Sequence, residues 1–197
     1  PTAAPLNVTG HNTSSTSILV EWGDVPAFDQ NGIITSYIIT YSSQAVNLIS
    51  FSEAVAIDRQ KELTGLRKFV NYNITVRAST SKGDGPDSSP IVVRTDQDKP
   101  TAAPLNVTGH NTSSTSILVE WGDVPAFDQN GIITSYIITY SSQAVNLISF
   151  SEAVAIDRQK ELTGLRKFVN YNITVRASTS KGDGPDSSPI VVRTDQD

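Results

Sequence analysis

The chain has 197 residues, a formal net charge of -5, 38% hydrophobic residues, and neither cysteine nor methionine. A mildly acidic chain without a Lys/Arg stripe argues against a nucleic-acid duplex or an anionic membrane as its main partner, and no stretch approaches the roughly 18 apolar residues of a membrane-spanning helix. Without Cys there is neither a disulfide framework nor a Cys-based zinc site, and Pro1-Thr2-Ala3-Ala4-Pro5 lacks the charged and apolar regions expected of a signal peptide.

Pro1 to Asp98 recurs unchanged as Pro100 to Asp197, an offset of 99 with Lys99 at the junction. A repeat of this length is domain-sized rather than solenoid-sized. Each copy is expected to fold alone, as domains 1–97 and 98–197.

Within a copy the apolar residues alternate instead of following a 3.6-residue period, which favours half-buried strands. Leu6 and Val8 predict a first strand. Ser17 to Trp22 predicts a second, with Ile18, Val20 and Trp22 on one face and Leu19 and Glu21 on the other. Asp24 to Gly32 holds Pro26 and an Asn31-Gly32 pair, which is turn chemistry. A third strand follows at Ser36 to Tyr41, with Tyr37, Ile39 and Tyr41 on one side, and a short one at Leu48 to Phe51. Glu53 to Glu62 is rich in helix formers. It reads as strand and loop all the same, because Val55 and Ile57 alternate and an isolated helix of about ten residues is marginal in water. Gly65 marks the next turn, and Tyr72, Ile74, Val76 and Ala78 form one face of a further strand opposite Asn73, Thr75, Arg77 and Ser79. Lys82 to Pro90, with Gly83, Gly85, Pro86 and Pro90, precedes a last strand at Ile91 to Arg94. About seven short strands at this spacing predict an all-β protein, a β-sandwich in each copy. The joint from Thr95 to Pro104 is polar, and its two prolines predict a semi-rigid hinge between domains arranged end to end.

These residues resemble a fibronectin type III domain, and the resemblance covers nearly all of each copy. Trp22 closes the second strand, Gly32-Ile-Ile-Thr-Ser-Tyr37 opens the third, Leu63-Thr-Gly-Leu66 precedes Tyr72 by six residues, and Arg77-Ala78 leads to Gly83-Asp84-Gly85-Pro86. The resemblance implies a seven-stranded Greek-key sandwich, immunoglobulin-like, in each half. It also implies that Trp22 and Trp121 are core tryptophans and that Tyr72 and Tyr171 are tyrosine corners bonded back to nearby backbone. The wording is similar to arrays in animal cell-surface adhesion molecules and receptor-type tyrosine phosphatases.

Few residues could carry chemistry. One histidine per copy, His11 or His110, cannot build a nucleophile-base pair in a chain without Cys, so no catalytic residue, cofactor or metal is expected. Asp29-Gln30-Asn31-Gly32 begins like a calcium loop but lacks its alternating ligands and distal Glu, and loop solvation is the expected role of Asp84 and Asp87. By the resemblance, Lys82-Gly83-Asp84 and Lys181-Gly182-Asp183 fall in the loop where some family members carry an integrin-read Arg-Gly-Asp. The competing reading is that Gly there only permits unusual backbone angles. Six N-x-S/T sequons, at Asn7, Asn12, Asn73, Asn106, Asn111 and Asn172, are candidate glycosylation sites.

The expected function is a non-catalytic extracellular tandem, a spacer and protein-interaction surface in an adhesion or receptor ectodomain. An engineered or recent duplication is a second expectation, since exposed positions such as Asn12, Gln44 and Gln60 would otherwise drift apart. Accessory modules of a secreted bacterial carbohydrate-active enzyme are a third.

Ile33 to Tyr41 is an uncharged, strongly β-prone run present twice in one chain, and identical neighbours can exchange strands while folding. Diluted from urea and followed by Trp fluorescence, the tandem should refold more slowly, or with lower yield, than a single copy. Equal rates and yields would contradict strand exchange.

Overall fold

The computed structural model describes residues 1–43, 50–142, 149–154 and 156–196. The chain divides into two units, Pro1–Asp96 and Gln97–Asp197.

In the first unit the strands are β1 Thr9–Ser14, β2 Ser17–Glu21, β3 Ile34–Ser43, β4 Ser50–Val55, β5 Gln60–Leu63, β6 Asn71–Thr80, β7 Gly83–Asp84 and β8 Ile91–Arg94. In the second they are β9 Thr108–Ser113, β10 Ser116–Glu120, β11 Ser135–Ser142, β12 Ser149–Val154, β13 Gln159–Leu162, β14 Asn170–Thr179, β15 Gly182–Asp183 and β16 Ile190–Arg193. One sheet of the first unit runs β1-β2-β5. The other runs β4-β3-β6, with β7 and β8 both pairing to β6. All pairings are antiparallel, and the second unit repeats the arrangement. The seventh strand of the expected sandwich is thus split into β7 and β8, because Pro86 and Pro90 between them cannot donate to a ladder.

Alternation places the core. Ile18, Val20 and Trp22 from β2 and its end meet Tyr37, Ile39 and Tyr41 of β3 and Tyr72, Ile74, Val76 and Ala78 of β6 in one buried cluster. Trp22 leans on Tyr37 with ring centroids 5.4 Å apart, and Tyr41 on Tyr72 at 6.4 Å, both tilted as aromatic pairs prefer. The second unit builds its own cluster around Trp121, Tyr136 and Tyr171.

The corner before β6 is pinned from three sides. The Arg67 N–H donates to the Tyr72 hydroxyl at 2.9 Å. The buried Thr95 hydroxyl donates to Arg67 O at 2.7 Å and accepts from the Val70 N–H at 3.0 Å. Phe69 takes φ of 53°, which a bulky residue holds only when its surroundings fix it. Here its N–H donates to Asp96 O at 3.1 Å, and the Arg94 guanidinium lies 4.3 Å above its ring.

Two predicted elements differ. The first strand begins at Thr9 rather than at Leu6, because Asn7 adopts φ of 52°, which breaks the extended run, and Leu6 O instead accepts from the Gly23 N–H at 2.7 Å. The short strand placed at Leu48 to Phe51 is observed from Ser50 to Val55, and Leu48 lies outside the described residues. Glu53 to Glu62 is strand, turn and strand, since Ala54 and Val55 pair with β3 and Gln60 to Glu62 pair with β2, where pairing overrides helix propensity.

Removing Trp22 empties the centre of one core only. Trp22→Ala should cost about 3–5 kcal/mol, a large part of the roughly 5–15 kcal/mol that holds a domain. Equilibrium urea unfolding of the full chain should become biphasic, with half of the amplitude moved to lower urea. A single unmoved transition would show that the first core does not depend on this side chain.

Candidate functional site

The β6–β7 hairpin carries the Lys82-Gly83-Asp84 tripeptide. Gly83 sits at φ of 129° and Gly182 at 127°, values that a residue with a side chain rarely adopts. Gly85 is required for a different reason, since a Cβ there would meet Pro1 Cβ at 2.8 Å and Pro1 O at 3.1 Å. Cross-strand register sets Asp84 opposite Ser79. Ser79 Oγ donates to Asp84 Oδ1 at 2.7 Å, Arg77 Nε lies 3.3 Å from Asp84 Oδ2, and Arg77 Nη1 lies 3.7 Å from Asp87 Oδ1. Both carboxylate oxygens of Asp84 therefore have partners within the fold. In the second unit Ser178 donates to Asp183, and Arg176 holds Asp183 and Asp186 at 3.2 and 3.6 Å. All these groups are partly exposed, so each ion pair contributes only about 0.2–1 kcal/mol. Lys82 is exposed.

A second polar group closes the gap between the sheets. The Tyr41 hydroxyl donates to Glu53 Oε1 at 2.9 Å, while Lys61 Nζ of β5 lies 3.1 Å from Glu53 Oε2. Burial, then the hydrogen bond to the Glu53 carboxylate, pushes the Tyr41 hydroxyl up to about 12, and the same causes push Tyr140 up to about 12. Arg59 Nε donates to Asp24 Oδ1 at 2.6 Å beside Tyr37, whose hydroxyl is raised chiefly by burial. None of these contacts follows from the sequence without the register, because Glu53 and Tyr41, or Arg77 and Asp84, meet only once the strands pair.

The sequons fall in three settings. Asn7 and Asn106 are exposed at φ of 52° and 53°, on the bend before the first strand of each unit. Asn12 is exposed on β1, and its amide donates to Arg94 O at 3.0 Å. Asn73 and Asn172 are half-buried mid-sheet, Asn73 between Ser42 and Val92. Asn111 is exposed on β9. His11 and His110 are exposed on edge strands. Asp29 Oδ1 accepts from the Thr2 hydroxyl at 2.9 Å. Among the described residues no three His, Asp or Glu side chains gather as a metal site, and no helix is long and apolar enough to cross a membrane.

Residues 3–94 and 102–193 each match the family model of the fibronectin type III domain. The chain belongs to that family. A receptor-type tyrosine-protein phosphatase F of Mus musculus is 35% identical over 206 residues, covering 98% of this chain and 11% of that protein. Protein sidekick-2 of Mus musculus is 33% identical over 205 residues, covering 98% of this chain and 9% of that protein. The solved chicken CNTN1 FN1-FN3 domains align over 100% of this chain and 68% of that one, with 25% identity and a TM-score of 0.48. This tandem of fibronectin type III domains thus spans about a tenth of the length of the curated relatives it matches. It consists of a non-catalytic module type.

The raised tyrosines give a pH dependence with a definite sign. A hydroxyl whose folded value lies above its ordinary 10 favours the protonated fold, so its contribution is intact below pH 10 and is lost as pH climbs through about 12. Urea midpoints measured from pH 9 to 12 should fall over that window. The double variant Tyr41→Phe, Tyr140→Phe should fall less, and an identical decline would detach the effect from these residues.

Proposed function

We propose that the tandem is a non-catalytic extracellular module, a spacer and protein-interaction surface within a cell-adhesion or receptor ectodomain. The observation that carries this reading is the alignment of 98% of the chain with a receptor-type protein as two successive fibronectin type III domains. The surface supports it. Phe28 and Ile33, in the connection between β2 and β3, are 98% and 85% exposed, apolar handles that core packing does not use. Lys82-Gly83-Asp84 has a structural role in this reading. Integrin-type recognition would have to release Asp84 from Ser79 and Arg77, and cell attachment that fails on Asp84→Ala, Asp183→Ala protein would establish that alternative.

An extracellular location brings the sequons into play. Asn7 and Asn106 are the proposed glycan carriers: they are exposed and stand on a bend before the first strand, outside the paired sheets. Asn73 and Asn172 lie within a paired sheet, and the Asn12 amide is already committed to Arg94 O.

A second reading concerns origin. The copies agree at every position, exposed ones included, whereas the chain is 35% identical to its phosphatase relative. Packing constrains exposed positions weakly, so this identity favours an engineered or recent duplication. It is compatible with the first reading.

Secreted from animal cells behind a heterologous signal peptide, the tandem should emerge folded, with glycan mass on Asn7 and Asn106 and far less on Asn73 and Asn172. Beads coated with it should bind cells, and Phe28→Ser, Ile33→Ser, with its partners in the second copy, should reduce that binding severalfold. Secreted protein without sugar at Asn7 and Asn106 would remove the glycan assignment. Absence of cell binding at every coating density would remove the interaction role.

A further inference from the structure

The two units have the same sequence, so a difference between them reflects what is attached to each. One difference is localised. Asn31 is exposed in the first unit, whereas its counterpart Asn130 is 8% exposed; Thr80 is half-buried, whereas Thr179 is 5% exposed. The segment Gln97–Lys99 lies against these residues of the second unit. The Asp98 N–H donates to Asn130 O at 2.8 Å, the Thr179 hydroxyl donates to Asp98 O at 2.9 Å, and the Asn130 amide donates to Lys99 O at 3.1 Å. Gln97 adds a side-chain contact, with Oε1 accepting from the Ile132 N–H at 2.9 Å. Its side chain lies flat on Gly131, where a Cβ would stand 2.6 Å from Oε1 and 3.2 Å from Gln97 Cβ. A merely solvated linker would leave these backbone groups to water.

We propose that Gln97–Lys99 is a docked leader of the second unit, held in a seat made by Asn130, Gly131, the Ile132 N–H and Thr179. The seat recognises an extended Gln-Asp-Lys segment joined directly to the first proline of a unit. Its specificity lies in the first position, which must offer an acceptor at the length of a Gln side chain and lie over a glycine. The middle position contributes its backbone N–H and C=O and therefore excludes proline. The third contributes only a carbonyl. Asn31 and Asn130 hold the same left-handed conformation, with φ of 50° and 53°, but the chain after them differs: Ile34 pairs with Thr80 in the first unit, whereas the ladder of the second starts at Ser135 and leaves the Thr179 hydroxyl to Asp98 O. In both units the amide of this Asn also donates to the Thr two residues into the copy, Thr2 at 3.0 Å and Thr101 at 3.1 Å. The first unit carries the same residues, Asn31, Gly32, Ile33 and Thr80, with Ile33 85% exposed and Thr80 paired to Ile34, a pair that an added leader would displace.

Amide exchange followed by NMR on the full chain, each half isotopically labelled in turn, reads the seat directly. The Ile132 N–H should exchange about tenfold more slowly than the Ile33 N–H, the effect of one hydrogen bond near 1.4 kcal/mol. Gln97→Ala should erase that difference while leaving the Val175 amide, bonded to Ser187 Oγ at 3.0 Å, unchanged. Gln97→Glu, which keeps an acceptor oxygen, should preserve it. Adding Gln-Asp-Lys before Pro1 should slow Ile33 by the same factor. Equal exchange of Ile33 and Ile132 in the parent chain, an Ile132 rate insensitive to Gln97→Ala, or an Ile33 rate insensitive to the added segment would each overturn the proposal.

Discussion

Each unit depends on β3 and β6 lying side by side in one register. Tyr37 faces Ala78, Ile39 faces Val76 and Tyr41 faces Ile74, so these three opposed pairs on the inner face are apolar and buried. The intervening pairs, Ile38 with Arg77 and Thr40 with Thr75, face outward. Because side chains alternate with a period of two, a slip by one residue would carry Arg77 inward and the aromatic rings outward. A buried unpaired guanidinium is far costlier than any local preference could offset. The tyrosine corner reinforces the same register at one end, since Tyr72 is held to Arg67 where β6 begins.

This constraint decides where chemistry can sit. With the inner face reserved for apolar groups, the charged side chains are left to the outer face, the loops and the rim, where each meets its partner in partial contact with water. Arg77 with Asp84 and Asp87, Lys61 with Glu53, and Arg59 with Asp24 are all of this kind. Such pairs fix hairpins and edges in place more than they stabilise the fold. What remains for recognition is shape, exposed apolar side chains and sugar, which is the repertoire of an interaction module.

The alternation at Ser17 to Trp22 and at Tyr72 to Ala78 made the two central strands and most of the core legible in the sequence, because an extended chain has only two faces. Asn7 defeated the same logic at the first strand. A single residue in the left-handed region reverses the chain direction locally, and Asn tolerates that conformation without announcing it. Gly83 and Gly85 looked alike in the sequence, yet one supplies a backbone angle and the other room for Pro1, a distinction that only a through-space neighbour reveals. The Asp84 carboxylate was legible as a loop acid. Its attachment to Ser79 and Arg77 was not, since it follows from the hairpin register rather than from spacing.

Identity between the copies separates what a domain sequence fixes from what its context adds. Both units have the same strand order, the same aromatic pairs within 0.1 Å, and the same Asn at nearly the same φ, so the fold and the turn are properties of the residues themselves. The state of that Asn is not: it is exposed in one unit and buried in the other. The residues against it, Gln97 to Lys99, fall between the two segments, 3–94 and 102–193, that the family model matches. A stretch that family comparison treats as connecting chain is therefore hydrogen-bonded into a domain. Its influence is confined to one end because β3 and β6 fix the sheet from Ser36 onward, leaving the loop and the first residues of β3 to change with the neighbour: the strand starts at Ile34 in the first unit, whereas β11 starts at Ser135 in the second.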